Sequence, residues 1–171
     1  MRRNIQKVSD DIIEIKRKIK QMLISDPDIL EALNNPEIDL DSPDDFLNKN
    51  IFGFIRVPTT QDTVRNFICF TVDDVEDHQF NSHFKVQQIK FACICHLEDM
   101  NTEFSMDRHD LLSYLVRDVF NWTNEFGKQF KLVYNVESTI DSDYYCRTLK
   151  FERDITNSLN NATRNNRYGR S

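Results

Sequence analysis

The residues best equipped for chemistry are crowded between Asp73 and His83, where Asp73, Asp74, Glu76, Asp77, His78 and His83 occur together. Carboxylates and imidazoles are what divalent ions take as ligands, so a metal-dependent hydrolase or nuclease is one conceivable reading. The stretch lacks the regular ligand spacing and the turn glycine of an EF-hand loop, and it separates two strand-like runs. It reads as a solvated acidic hairpin loop. Cys93 and Cys95, with His96 adjacent, suggest a metal in turn. On a strand, however, positions 93 and 95 share a face and 96 turns away, so a tetrahedral site would need Cys69, Cys146 or other ligands from elsewhere. All four cysteines fall in strand-like runs and read as buried, reduced core thiols. Ser82 beside His83 and Ser105 near His109 are sequence neighbours with no nucleophile motif around them. Three glycines, Gly53, Gly127 and Gly169, are too few for a phosphate-cradling loop or a dinucleotide fingerprint. Catalytic, cofactor-binding and metal residues are thus all read as none, and the chain is expected not to be an enzyme.

The elements that would position these groups follow from periodicity. Ile5, Val8, Ile12, Ile15, Ile19 and Met22 recur three and four apart, an apolar stripe on one helix face. Asp26-Pro27-Asp28 and Ser42-Pro43-Asp44 are helix-start signals, with proline at the first helical position. Asn35-Pro36 opens an extended stretch between them. The run Ile51–Val57 stops at Pro58, which favours a strand end or sheet edge. From Ile89 to Leu97 the alternation puts Ile89, Phe91, Cys93, Cys95 and Leu97 on one face, and Lys90, Ala92, Ile94 and His96 on the other. That pattern predicts a sheet covered by helices on its apolar face and open, or covered by a partner, on its mixed face. Phe130, Leu132, Tyr134 and Val136 are expected to share one face in the same way. A helix over about 107 to 126, capped by Ser105 or Asp107 and ended by Gly127, carries Leu115 and Val119 at the centre of its apolar face, to pack on Phe91 and Cys93.

The order strand–strand–strand–helix–strand–strand behind a helical start predicts an α+β fold. One domain over 1–152 is expected: a helical segment over 1–50, then over 51–152 a mainly antiparallel sheet of four to five strands with one long amphipathic helix on one face. Hydrophobics at 39%, with 13 Phe, can furnish a core for 171 residues. No apolar stretch approaches the ~20 residues that span a bilayer, so no membrane partner is expected. Net charge is −6. Residues 153–171 set four arginines (Arg153, Arg164, Arg167 and Arg170) against the single acid Asp154, a net +3 that leaves −9 on the body. An acidic body argues against sequence-specific DNA binding, which needs Lys and Arg facing the phosphates. The 153–171 stretch reads as a polar, Arg/Asn-rich C-terminal arm suited to docking an acidic partner. Trp122, Tyr144, Tyr145 and Tyr168 read as core or rim residues, because an RNA-binding sheet would interleave more Lys and Arg with its rings.

Residues from about 5 to 152 resemble the tail terminator (tail completion, head–tail joining) proteins of long-tailed bacteriophages. The likeness is carried by MLISDPDILEALNN, the proline-flanked segment before IFGFIRVPTTQ, the paired runs FICFTVDD and FKVQQIKFACICHLED, the helix RHDLLSYLVRDVF and two closing strands. It lies in layout and length, and it leaves the 153–171 arm unexplained. The resemblance implies a virion protein, made in the host cytoplasm, that assembles with itself into a ring, usually a hexamer. Such a ring ends the tail tube and docks on the head connector, and DNA passes through its lumen without specific binding. Asp73, Asp74, Glu76 and Asp77 would be an assembly or lumen surface. Arg153, Arg164, Arg167 and Arg170 would be docking groups. A second neck ring, of the head-completion or connector-adaptor kind, is the alternative, and a hydrolase or nuclease on the Asp73–His83 cluster a more distant one.

Overall fold

The strand Asn81–His96 is the spine of the fold in the computed structural model, which describes residues 11–56, 65–78 and 81–156. β3 (Asn81–His96) pairs antiparallel with β2 (Asn66–His78) on one side and with β5 (Tyr144–Thr156) on the other. β1 (Ile51–Phe52) adds to β2 in parallel, and β4 (Lys131–Thr139) adds to β5 antiparallel. The result is a five-stranded sheet of order β1-β2-β3-β5-β4, mixed only at its short β1 edge. Ile5, Val8, Val57, Pro58 and residues 157–171 lie outside the described residues.

The alternation on β3 decides where the layers go. Ile89, Phe91, Cys93 and Cys95 are fully buried beneath the helices, together with Ile68 and Phe70 of β2 and Leu149 and Phe151 of β5. Helix α1 (Asp11–Ile24) contributes Ile15, Ile19 and Leu23 to this core, and α3 (Arg108–Phe120) contributes Leu112, Val116 and Phe120. Phe91 is central: its ring lies 4.7 Å from Phe120 and 5.9 Å from both Phe70 and Phe151, centroid to centroid. Each such burial is worth about 1.5–3 kcal/mol, so this contact fixes α3 to the sheet. Leu115 and Val119 are only partly buried, because the face turned to the sheet runs through His109, Leu112, Val116 and Phe120. The apolar stripe was expected one step around the helix from its true position.

Ends and turns depart from expectation in instructive ways. Asp26 caps α2 (Pro27–Ala32) as its sequence predicts, accepting from the backbone N–H of Asp28 at 3.0 Å and Ile29 at 3.2 Å. Ser42 makes no such side-chain cap, and Pro43–Phe46 forms only a 3-10 turn. The stretch after Pro36 is a series of turns, not an extended run, with Ile38 buried among them. Asp107 stands at the N-cap of α3 without a side-chain bond, and the helix stops at Phe120, well short of Gly127. Asn121 turns extended there and accepts from the Leu132 N–H at 3.1 Å, while Trp122 takes φ +64°. Asn121 thus serves β4 in place of another helical turn.

The other sheet face carries a smaller cluster: Phe52, Phe67, Cys69, Ala92, Ile94, Tyr144 and Cys146, all buried. The Arg56 guanidinium lies over the Phe52 and Phe67 rings, 5.0 and 5.2 Å from their centroids. Beyond this cluster the same face becomes polar, as Lys90 pairs with Thr71 and Lys150 and Gln88 with Asp73 and Glu152. The mixed face of β3 is therefore half apolar and half polar along its length.

Candidate functional site

The acidic stretch is strand, not loop: β2 continues through His78 and β3 resumes at Asn81. Strand alternation then separates what the sequence brings together. Asp73 pairs with Gln88 on the open face, is exposed, and accepts from Thr71 Oγ1 at 3.0 Å. Asp74 pairs with Gln87 on the helix side, where Lys85 Nζ and Gln87 Nε2, the latter at 3.0 Å, donate to its carboxylate. Two adjacent carboxylates on opposite faces cannot share one ion. Among the described residues no group of three or more His, Cys, Asp or Glu is placed to hold a metal. The side chains of Glu76, Asp77, His78 and His83 lie outside what is described.

Arg153 belongs to the folded body, which corrects the arm boundary: β5 runs on through Thr156. Its Nε and Nη2 donate to Gln87 Oε1 at 3.0 and 2.7 Å, and its Nη1 donates to the carbonyls of Phe126 at 2.7 Å and Lys128 at 3.1 Å. The guanidinium also sits 4.5 Å from the Phe130 ring centroid. This is a structural tie from sheet to the turn after α3, and it leaves Arg153 poorly available as a capture group. Arg164, Arg167 and Arg170 lie outside the described residues.

The sheet edge at β4 is largely exposed. A bulge between Leu132 and Tyr134 shifts the register, so Leu132 packs into the core opposite Phe151 while Tyr134 and Val136 pair with Lys150 and Thr148 on the open face. Phe130, Leu132, Tyr134 and Val136 therefore do not share a face, contrary to the simple alternation. Val133, Tyr134 and Val136 are 46, 45 and 43% exposed. Among the described residues no strand pairs with the outer side of β4. A long, exposed and partly apolar edge is a template for pairing with another chain, and folded proteins ordinarily blunt such edges.

Where α3 meets β4 and β5 there is a polar cluster that spacing alone does not announce. Arg147 donates to Asp110, and to Asn135 at 3.3 Å and Glu137 at 3.4 Å. His109, 2% exposed, places Nδ1 3.1 Å from Met100 Sδ and Nε2 3.5 Å from both Asp110 and Glu137. At that length Nε2 makes no hydrogen bond. Ser105, at φ +56°, is exposed. Arg147 alternates with the core residues Leu149 and Phe151 on β5, the one signal that could have placed it under α3.

The thiols sit as core residues. Cys93 and Cys95 face the helices, Cys69 and Cys146 face the smaller cluster, and all four are free. Burial pushes the Cys69 thiol up to about 11 and raises Cys93, Cys95 and Cys146 as well, because a thiolate in these apolar surroundings loses its water. Such thiols are poor nucleophiles.

A family model described as YomW matches residues 26–153, which take in α2, α3 and most of the sheet. No curated protein matches the chain.

Proposed function

The chain belongs to the YomW family, a phage-derived family of the Bacillus SPbeta type, and from that premise we propose that it is a structural virion protein. In this reading copies of the chain form a ring at the head-proximal end of the phage tail. The ring ends the tail tube and joins it to the head connector, with DNA passing through the lumen. The observation that carries the reading is the β4 edge. Among the described residues no strand covers the outer side of the nine-residue β4, and its three exposed apolar side chains suit the continuation of the sheet into a neighbour. Head-to-tail use of such an edge closes a ring when the rotation between copies divides the circle.

Charge supports the lumen. The body outside the last residues is strongly acidic, and like charge lets phosphate slide past, whereas lysines facing the channel would hold it by counterion release. Asp73 is exposed and contributes to such a surface; Asp74 is held by Lys85 and Gln87 and contributes less. Nothing in this role requires catalysis, a cofactor or a metal.

Deleting the gene in its phage and imaging the lysate tests the reading. DNA-filled heads beside free tails of irregular length are the expected outcome. A lysate of normally joined, infectious particles would overturn it.

A further inference from the structure

A groove of about 560 Å³ runs between α2, α3 and the turn after β3. Its floor is apolar: Leu111 and Leu115, half-buried on α3, and Phe104, 59% exposed. Its rim is acidic, with Asp28 and Glu31 from α2 and Glu103 from the turn. Arg108, the one cation lining it among the described residues, is already committed. Its guanidinium donates to the carbonyls of Asp99 at 2.7 Å, Ala32 at 3.0 Å and Asn101 at 3.3 Å, and lies 3.4 Å from the Asp99 carboxylate. The three rim carboxylates have no ion pair among the described residues. An apolar floor with an uncompensated acidic rim suits an aromatic or aliphatic side chain flanked by cations.

Two segments outside the described residues combine cations with no acid: residues 1–9, where Arg2, Arg3 and Lys7 flank the aliphatic Ile5 and Val8, and residues 157–171, and of the two only the latter has an aromatic ring to lay on Phe104. Residues 157–171 contain Arg164, Arg167 and Arg170, no acid, and Tyr168 among the arginines. Arginine suits the role, since its planar fork binds carboxylates in pairs of hydrogen bonds. Geometry then bears on whose groove it fills. The pairings His96 with Tyr144 and Phe84 with Thr156 put the end of β5 at the opposite end of the sheet from the turn after His96. Between Tyr144 and Thr156 the strand spans about 40 Å. An extended chain gains about 3.3–3.6 Å per residue, so Tyr168, twelve residues on, reaches at most roughly 43 Å from Thr156 and only when fully extended. Filling its own groove would require a taut tail doubling back along the molecule, whereas a neighbouring copy can offer its groove near the end of β5.

We propose that the 164–170 segment of one copy docks in the α2–α3 groove of the next, with Tyr168 over Phe104, Leu111 and Leu115 and the arginines on Asp28, Glu31 and Glu103. The contact is heterologous, donor on one side and acceptor on the other, as successive copies in a ring require. It deepens the ring reading and rests on it only for the number of copies.

The test uses the full chain with a photo-crosslinking phenylalanine analogue replacing Tyr168, mixed with an isotope-labelled full chain that lacks the analogue. Irradiation followed by peptide mass spectrometry should give mixed-isotope crosslinks to the peptide spanning residues 101–115. The triple variant Asp28→Lys, Glu31→Lys, Glu103→Lys should lower their yield by about tenfold, and raised salt should lower it too, because these pairs are exposed to screening. Circular dichroism of the triple variant checks that it folds. Should it fail to, the single variant Glu31→Lys, on an exposed helical position, takes its place. Crosslinks confined to one chain, crosslinks elsewhere on the body, or no crosslinks from a folded, self-associating protein would each overturn the docking. A crosslink in trans from a chain that is absent from the phage neck would keep the docking and overturn the neck reading instead.

Discussion

Asp74 on β2 and Arg153 on β5 are joined through a single side chain, the buried Gln87 of β3 between them. Its Nε2 donates to the Asp74 carboxylate and its Oε1 accepts twice from the Arg153 guanidinium. An amide suits the position because it can give and take at once. The chain of contacts crosses three strands and ends on the carbonyls of Phe126 and Lys128, so it ties the sheet to the turn that leads into β4.

Replacing Arg153 by Ala removes the donors from Gln87 Oε1 and two carbonyls. The expected cost is about 2–3 kcal/mol, read by urea unfolding. Arg153→Lys should restore little of it, since one ammonium cannot serve the fork geometry. A loss under about 0.5 kcal/mol would show that Arg153 is not part of the folded body.

Phe91 touches Phe70, Phe120 and Phe151, so Phe91→Ala should cost about 3–5 kcal/mol. Leu112→Ala on the buried face of α3 should cost about 2–5 kcal/mol, and the half-buried Leu115→Ala clearly less. Equal losses at Leu112 and Leu115 would put the helix in a different rotation.

The thiols give a pH prediction with a definite sign. Cys69 keeps its proton to about 11 when folded but releases it near 9 when unfolded. Its contribution to stability is therefore complete below about 9 and is lost as pH rises through about 11; the other raised thiols act in the same direction. Between pH 7 and 8, the native protein should react slowly with a thiol reagent, and the denatured protein should show four reactive groups. Fast labelling of the native state would contradict the burial.

Much of the fold was legible because burial is written into alternation. The two faces of β3 follow Ile89-Phe91-Cys93-Cys95 against Lys90-Ala92-Ile94-His96, and Asp26-Pro27 announces α2 by its own chemistry. The misses have physical causes. A bulge at Val133 flips every later side chain of β4, which no period-two reading can foresee. Acidic residues suggest a loop, yet β2 carries them out to His78, paired with β3. Arg153 looks like part of a basic tail until the register sets it beside Gln87. The groove and the His109 cluster join residues distant in sequence, so no local spacing encodes them.

The β4 edge offers a separation of assembly from folding. Tyr134→Lys with Val136→Lys places charge on two open-face positions that carry no core contact. Monomer stability should change by under about 0.5 kcal/mol, while self-association followed by light scattering should be lost. Unchanged association would mean that copies meet through another surface.

The most direct measurement of the central claim is the position of the chain in the particle. Purified virions carrying a tagged copy, imaged by electron cryomicroscopy with a label on the tag, should show it as a ring around the DNA channel where head meets tail. Purified virions that lack the chain, or that carry it only at the tail tip or in the shell, would contradict the account.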